Sequence, residues 1–182
     1  MAPNAILKFA TLSVLVLLAI SASSEANFDF NQKLKETKLV FYMFDWETGL
    51  NITTVPVAGI PGNRWWILGF GTVFAIDDKL TESYDRNSNE VGRARGAYVN
   101  SAVDGSDLHL LMSVVFTNQE FNGSTLEIQG SDRFYNKYRE VSVVSGTGKF
   151  RFARGYAFLE TLLLDQVNSN AIIRWNVTVY HY

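Results

Sequence analysis

The chain of 182 residues contains no cysteine. This absence excludes disulfide bonds, thiolate metal ligands and cysteine nucleophiles. Proline is also rare, and no Pro-rich linker, repeat or low-complexity tract divides the chain, so the length fits one globular core rather than two domains. The formal net charge is only −2. That small charge gives no electrostatic reason to expect nucleic acid or an anionic membrane as a partner.

The N-terminal segment predicts a secretory signal peptide. Lys8 precedes an apolar run, FATLSVLVLLAI, which is too short to span a bilayer comfortably and is followed by the small residues SASSEA. We therefore expect cleavage after Ala26, which leaves residues 27–182 as a single secreted domain. Three sequons for N-linked glycosylation agree with secretion. They are at Asn51, Asn122 and Asn176.

Beyond the signal segment the sequence predicts an all-β domain. Runs of β-branched and aromatic residues recur between turn-like pieces rich in Gly, Asn, Asp and Ser, and helical periodicity is nearly absent. The predicted strands are residues 38–46, 52–58, 65–77, 91–103, 107–117, 124–130, 139–146, 149–161 and 171–182. So many short strands favour an antiparallel barrel or sandwich. In the last strand Trp175 lies among apolar residues on one face, so Asn176 and any glycan on it should point away from that face.

The glycine-rich stretch SGTGK at residues 145–149 resembles a phosphate-binding loop only superficially. Such a loop needs a longer glycine spacing and a helix after it, whereas the residues that follow here alternate as a strand does. The stretch therefore predicts a hairpin turn in which glycine supplies a positive φ.

The strand after this turn combines aromatic residues with an arginine. By alternation one face carries Phe150, Phe152, Arg154, Tyr156, Phe158 and Glu160. Arg154 could pair with Glu160 or extend past the aromatic rings towards water. Alternatively, this face lines a ligand cavity that holds a few polar groups. The strand by itself leaves both interpretations open.

Other strands favour the cavity. Asp45 ends an apolar stripe that includes Phe41, and Tyr98 shares a face with small residues that leave space beside it. Asp132 and Arg139 lie near opposite ends of a short connection. Together these residues predict a hydrophobic cavity with carboxylates, a tyrosine and an arginine at its bottom. The residues predicted to line the substrate pocket beside these polar groups are Phe41, Phe152, Arg154 and Phe158.

The histidines do not predict a metal centre. His109 and His181 are far apart in the sequence and match no metal-ligand spacing, so we expect both to be structural and expect neither a metal nor a cofactor. The exposed-aromatic motif NRWW, at residues 63–66, leaves open a carbohydrate-binding barrel.

The quoted residues resemble the blocks of plant dirigent proteins. The matching blocks occur in the family's order, from about Leu39 to the C-terminus. They are LVFYMFDW followed by GxNxTxVxVAG, then GFGTVFAIDDKLTE, VGRARGAYV, SVVFTN, FNGSTLEIQGSD and REVSVVSGTGKFRFARGYA. The resemblance is to the broad dirigent-like branch, related to the pterocarpan synthases, because pinoresinol-forming members typically carry a cysteine pair. One departure is Phe44, where the family commonly has histidine before the aspartate.

The resemblance implies an eight-stranded antiparallel β-barrel of the allene-oxide-cyclase or calycin type. It also implies a glycosylated protein of the plant apoplast that assembles as a trimer or dimer. Family members steer the coupling of phenoxy radicals, typically from coniferyl alcohol, and a separate laccase or peroxidase makes the radicals. Pterocarpan synthases instead close a ring from an isoflavanol through a quinone methide. The family's polar pocket residues correspond to Asp45, Tyr98, Asp132 and Arg139, which become the predicted catalytic residues.

These residues suggest acid chemistry. A protonated carboxylic acid beside the quinone oxygen makes the methide carbon more electrophilic, and burial raises the pKa of an aspartate towards the range where it stays protonated. Arg139 could orient Asp132 or bind a phenolate. The sequence leaves open both these roles and the choice between steering a coupling and catalysing a ring closure.

Overall fold

The computed structural model describes residues 33–182, of which Leu34–Tyr182 form one compact unit. The strands are β1 (Lys35–Trp46), β2 (Thr54–Ala58), β3 (Val73–Thr81), β4 (Glu90–Asn100), β5 (Leu108–Phe116), β6 (Thr125–Asp132), β7 (Arg139–Thr147), β8 (Arg154–Asp165) and β9 (Asn170–His181). In this part of the chain, no helix has the length and apolar character needed to cross a membrane. The predicted signal peptide, residues 1–26, lies outside the described residues and stays a prediction.

The strands form one antiparallel sheet that closes on itself. Their order is β1-β9-β8-β7-β6-β5-β4-β3-β2, and an additional pairing of β1 with β3 closes the ring. Eight strands therefore make the barrel, and β2 is an extra strand on the edge of β3. This arrangement confirms the predicted eight-stranded antiparallel barrel.

Where the barrel closes, β3 divides its pairing between β1 and β2, and this fork lies next to the candidate site. The second half of β3 pairs with β1, from Tyr42 opposite Thr81 to Phe44 opposite Lys79. The first half of β3 pairs with β2 instead, beginning with Thr54 opposite Ile76. Strands β1 and β3 therefore separate beyond Phe44, and the start of β2 enters the gap.

The two ends of the barrel are filled differently. At the end where β5 finishes, three phenylalanine rings pack together, with centroids 4.9–5.4 Å apart, and His181 lies edge-on to one of them. These rings belong to Phe116, Phe121 and Phe150. The opposite end, where β1, β4, β6 and β8 finish, is the end that contains a cavity.

The barrel core follows the predicted alternation in the last strand. Ile173, Trp175, Val177 and Val179 are all buried. Asn176 is only partly buried and lies on the other face. The pattern of β9 thus correctly predicted which face of the strand points inward.

The predicted strand at residues 65–77 is wrong in its first half. Residues 65–72 form turns, and β3 begins only at Val73. The chain reverses through hydrogen bonds from the Gly69 amide to the Trp66 carbonyl and from the Thr72 amide to the Gly69 carbonyl. Gly71 adopts φ +78°, which an L-residue in a strand does not. The aromatic composition of this segment reflects a folded loop at the barrel rim rather than a strand.

The hairpin predicted at SGTG lies slightly later in the chain. Strand β7 continues to Thr147, a short 3₁₀ turn covers Gly148–Phe150, and β8 starts at Arg154. Gly148 has φ +59°, as expected for a turn glycine, and Phe152 also has a positive φ of 62°. A strand follows the turn, so the exclusion of a phosphate loop agrees with the structure.

Candidate functional site

A cavity of about 190 Å³ occupies the end of the barrel opposite the phenylalanine cluster. Strands and loops both contribute to its wall, which is mostly apolar with a few acidic and basic side chains. Its polar and aromatic lining includes Asp45, Glu47, Trp66, Tyr98, Asp132, Tyr135, Arg139, Thr161 and Trp175. Apolar walls with few convergent polar groups are typical of small-molecule sites.

One side of the cavity carries the carboxyl group of Asp45, whose pKa is raised. Asp45 is at the end of β1, and the Tyr98 hydroxyl donates a hydrogen bond of 3.3 Å to its Oδ2. Burial raises the pKa of Asp45 to about 6, and hydrogen bonding to Thr54 and to Tyr98 opposes that rise. Burial, with the nearby acidic groups, also holds the pKa of Tyr98 well above its usual value, so the phenol remains a hydrogen-bond donor.

A second carboxyl group lies behind Asp45, and the sequence analysis missed it. Asp78 is fully buried in β3 and does not line the cavity. Its Oδ1 accepts hydrogen bonds from Thr53 at 2.6 Å and from Thr54 at 3.2 Å. Burial, followed by the charge of Asp45, raises the pKa of Asp78 well above its usual value. Alternation places Asp78 on one face with Ile76 and Leu80, which was the available sequence signal.

The other side of the cavity is an ion pair. The Arg139 guanidinium contacts Asp132 with Nε–Oδ1 at 2.5 Å and Nη2–Oδ2 at 3.4 Å, and both side chains are buried. Arg139 also donates to the Thr161 hydroxyl at 2.8 Å. Burial raises the pKa of Asp132, but Arg139 opposes the rise. Because arginine stays charged, the pair favours an ionised Asp132. Arg139 thus contacts Asp132 directly, which is the geometry required by one of the two roles that the sequence left open.

The rim of the cavity adds a third acid. Glu47 follows β1, and burial together with the charge of Asp45 raises its pKa to about 7, while Arg64 opposes that rise. The Arg64 guanidinium lies 5.2 Å from the centre of the Trp66 ring, and Trp66 itself lines the cavity. The NRWW motif therefore forms part of the cavity entrance.

The cavity wall also holds an unused hydrogen-bond donor. Trp175 is 1% exposed, and its indole Nε1 has no hydrogen-bond partner within residues 33–182. The ring stacks on Phe41 with centroids 6.0 Å apart. Phe41 therefore supports the wall from behind and is not itself among the residues that line the cavity.

Three of the predicted wall residues face outward from the barrel, so the orientation predicted for them is wrong. Phe152 and Phe158 are 60% and 42% exposed, and Arg154 is also exposed. Strand β8 instead turns Ala157 and Leu159 inward. The register explains the error, because Phe158 is paired with the outward-facing Asn176 and must share its face. The predicted pairing of Arg154 with Glu160 is replaced by a contact of Glu160 with Arg174 at 3.8 Å.

The four polar residues of the family pattern do surround one space. Asp45, Tyr98, Asp132 and Arg139 all line the same cavity. Phe44 is buried outside it, so the missing histidine leaves the cavity wall unchanged. Within residues 33–182, no group of three or more His, Cys, Asp or Glu side chains is arranged to hold a metal ion.

The three sequons occupy different surroundings. Asn51 and Asn122 are in exposed loops. Asn176 is in the middle of β9 on the outer face of the barrel, opposite Val40 of β1 and Phe158 of β8. Glycan occupancy at one or more of the three remains a prediction.

The fold and the site define a class of protein, a closed β-barrel with a cavity lined by acidic groups. Comparison with known proteins gives the family: the family model described as dirigent-like protein matches residues 36–180. Dirigent protein 1 of Arabidopsis thaliana is 37% identical, with both chains covered completely. The chain belongs to the dirigent family.

Pterocarpan synthases are among the similar proteins. Pterocarpan synthase 1 of Glycyrrhiza echinata is 37% identical and is aligned over 97% of this chain and 94% of its own. Two solved structures of pterocarpan synthase dirigent proteins both have a TM-score of 0.78. One is 38% identical and covers 84% of this chain and 88% of its own. The other is 39% identical and covers 83% and 98%.

Proposed function

We propose that this chain binds a phenolic quinone methide in the barrel cavity and fixes the face on which a hydroxyl attacks it. The observation that carries this proposal is that two aspartates on opposite walls of one apolar cavity have different partners. Within residues 33–182 no cation is in hydrogen-bonding contact with Asp45, whereas Asp132 is paired with Arg139. An acid with a pKa of about 6 is protonated in a mildly acidic compartment, so it can donate a proton to the quinone oxygen.

The proposed step conserves all atoms. A proton passes from the Asp45 carboxyl to the quinone oxygen as the substrate hydroxyl forms a C–O bond with the methide carbon. The hydroxyl proton then returns to the Asp45 carboxylate, which regenerates the acid. Tyr98 holds the Asp45 carboxyl in place, and the Asp132–Arg139 pair offers charged hydrogen-bonding groups to the opposite end of the substrate.

The first candidate reaction is stereoselective coupling of phenoxy radicals, such as two coniferyl alcohol radicals that form an optically active lignan. A laccase or peroxidase would remove one electron and one proton from each phenol, and the two radicals would join through a C–C bond. The resulting quinone methides would then close as described above. A bias of tenfold between two approach geometries needs only about 1.4 kcal/mol, which a shaped cavity can supply.

The second candidate is ring closure of an isoflavanol, with loss of one water to form the quinone methide. Its support is the likeness to the pterocarpan synthases, including two solved structures. This reaction needs no oxidant, because the substrate and product differ only by one water.

The proposal includes the surroundings of the reaction. We propose a secreted, glycosylated protein of the plant apoplast that acts beside a separate oxidase and self-associates. The outer face of β1, β8 and β9 supports self-association, because Val40, Phe158 and Tyr180 are 53%, 42% and 40% exposed. Asn176 lies between Val40 and Phe158, so association through this face requires Asn176 to be free of glycan and leaves Asn51 and Asn122 as the glycosylated sites. Exposed apolar side chains on neighbouring strands are commonly covered by a partner.

Chiral chromatography of products separates the two candidates. With coniferyl alcohol and a laccase, a steering protein leaves the rate of substrate consumption at the oxidant's own value and shifts the product from racemic towards one enantiomer. A ring-closing enzyme converts an isoflavanol without oxidant, at a rate proportional to protein concentration. The proposal fails if every coupling stays racemic and no isoflavanol is converted.

A further inference from the structure

The backbone register places Asp78 opposite Asp45. The pairing of β1 with β3 ends at Phe44 opposite Lys79, so the next position on each strand is Asp45 on β1 and Asp78 on β3. Both side chains are on the inward faces of their strands. The strands separate at this point, but Thr54 of β2 lies next to both carboxyl groups, because it donates to Asp78 Oδ1 at 3.2 Å and its hydrogen bonding also lowers the pKa of Asp45.

The start of β2 fixes one of these two carboxyl groups. At the fork between β1 and β3, the Thr53 and Thr54 hydroxyls both donate to the same oxygen of Asp78, Oδ1. Thr53 is itself held there, because the Asp77 amide donates to its carbonyl at 2.9 Å and the Trp46 amide donates to its hydroxyl at 3.2 Å. Asp78 therefore has one oxygen that is committed as an acceptor.

Each carboxyl group of the pair keeps one oxygen without a donor. Asp45 Oδ1 and Asp78 Oδ2 are buried, and neither has a hydrogen-bond partner within residues 33–182. Two buried carboxylates that face one another without a cation between them repel strongly, so both do not ionise together. A proton on one of the two free oxygens removes this repulsion.

We infer that Asp45 and Asp78 act as a carboxyl pair that retains at least one proton from mildly acidic to neutral pH, with Asp78 as the positioning residue. The donors on Asp78 Oδ1 direct that proton to Oδ2. As Asp45 releases its own proton to a substrate, Asp78 stays neutral, so the pair carries a single negative charge. The positioning role of Asp78 rests on the proposed function, whereas the proton that the pair retains does not depend on that function.

Other charged groups modify the pair without cancelling it. Arg93 of β4 lowers the pKa of Asp78, but its side chain is committed to Asp77 through Nε–Oδ1 at 2.8 Å. Tyr98 of β4 donates to the other oxygen of Asp45, and Glu47 at the rim adds a further acid. From the far wall, Asp132 raises the pKa of Asp45 slightly, while its own charge is paired with that of Arg139.

The test is carboxyl titration by ¹³C NMR of the substrate-free mature chain with aspartate labelled at Cγ, which separates these groups from Glu47. We expect one aspartate carboxyl, lost in Asp78→Asn, to remain protonated at pH 7. In Asp45→Asn the Asp78 midpoint should fall by at least about one pH unit, because the neighbouring charge is gone. In Asp78→Asn we expect Asp45 to titrate in a single step near pH 6, because Asn mimics the neutral partner.

The matched control is Asp77→Asn. Asp77 is the adjacent residue, but it faces outward, is half exposed and pairs with Arg93 and Arg95. This variant should leave the titration of both pair members unchanged.

Two results would overturn the inference. One is a wild-type protein in which every aspartate carboxyl is ionised at pH 7. The other is an Asp78 midpoint that is the same in the wild type and in Asp45→Asn. If Asp78→Asn does not fold, Thr54→Val supplies the second variant. It removes a hydrogen-bond donor that lowers the pKa of both carboxyl groups, so the midpoints of Asp78 and Asp45 should both rise, and an unchanged Asp78 midpoint would overturn the placement of the proton on Oδ2. If the titrations agree with the inference but the wild type leaves every coupling racemic and converts no isoflavanol, the proposed function fails and the carboxyl pair stands.

Discussion

The two sides of the cavity present the same chemical group in opposite electrostatic settings. Asp132 contacts the Arg139 guanidinium through both of its oxygens. Asp45 faces a neutral tyrosine and a second carboxyl group, and no cation is in hydrogen-bonding contact with it within the described residues. A charged partner favours the ionised form, whereas burial beside another acid favours the protonated form. The cavity therefore contains a fixed ion pair on one wall and a titratable acid on the other.

Because of this difference, we expect one wall to bind the substrate and the other to transfer a proton. The Asp132–Arg139 pair can orient a substrate, but it releases a proton only at the cost of breaking the pair. Asp45 and its neighbours can exchange a proton near pH 6 without that cost. Changing each wall in turn tests whether the division is correct.

The largest effect on stability is expected from breaking the ion pair. Arg139→Met should lower the free energy of unfolding by about 3–5 kcal/mol, because it leaves a buried carboxylate without its partner. Urea denaturation at pH 7 measures this change. Arg133→Met is the matched control, since Arg133 is exposed and lies 3.8 Å from Asp107. Surface changes of that kind stay within about 0.5 kcal/mol, and similar losses in both variants would argue against a special role for the ion pair.

The largest effect on function is expected on the opposite wall. Asp45→Asn keeps the side-chain shape but cannot donate an acidic proton, so the rate of ring closure or the enantiomeric excess of coupling should collapse. For catalysis the loss should be about 10²–10⁴-fold. Chiral chromatography measures the selectivity, and circular dichroism checks that the barrel is intact. If Asp45→Asn and Asp132→Asn both keep full selectivity, the carboxyl groups are structural.

The sequence predicted the barrel better than it predicted the cavity wall. Alternation in β9 correctly placed Trp175 inward, and the family pattern brought Asp45, Tyr98, Asp132 and Arg139 to one cavity. Alternation in β8 defined a face but could not say which side faced the core, because both faces are apolar. Only the pairing of Phe158 with Asn176 decides it.

Asp78 was missed for a different physical reason. Its role depends on the fork where β1, β2 and β3 meet, which brings Thr53 and Thr54 to a carboxyl group about 25 residues away in the chain. No local pattern encodes that meeting of three strands. Alternation could show that Asp78 faces inward, but not that it lies beside Asp45.

The pH dependence of stability should report the raised pKa of Asp45. The folded-state pKa of Asp45 is raised from 3.8 to about 6, so protonation favours the folded state. Its stabilising contribution is fully present below pH 4 and is lost as the pH rises through 6, by on the order of 3 kcal/mol. Unfolding of the wild type and of Asp45→Asn between pH 4 and 7 measures the contribution as a difference. The variant should gain relative stability as the pH rises, and parallel curves would contradict the raised pKa.

The smallest expected effect concerns the tryptophan between the two walls. Trp175 pairs with Phe41 on the Asp45 side and with Leu159 on the Arg139 side, and its indole N–H is buried without a partner in residues 33–182. A buried donor without an acceptor costs free energy that a ligand oxygen can recover. Trp175→Phe should therefore weaken the binding of unoxidised coniferyl alcohol by about 3–10-fold, which corresponds to the net value of one hydrogen bond.

The stability of this variant distinguishes a lost ligand contact from a damaged barrel. Phenylalanine removes the unsatisfied donor but also some ring volume, so the unfolding free energy should change less than it does for Arg139→Met. Trp65→Phe is the control, because the Trp65 indole already donates to the Ile60 carbonyl at 3.2 Å and lies outside the cavity lining. Isothermal titration calorimetry of the three proteins should place Trp65→Phe with the wild type. Equal affinity in Trp175→Phe would mean that the ligand's oxygens meet only the acidic wall and the ion pair, and the indole would then be part of the apolar wall alone.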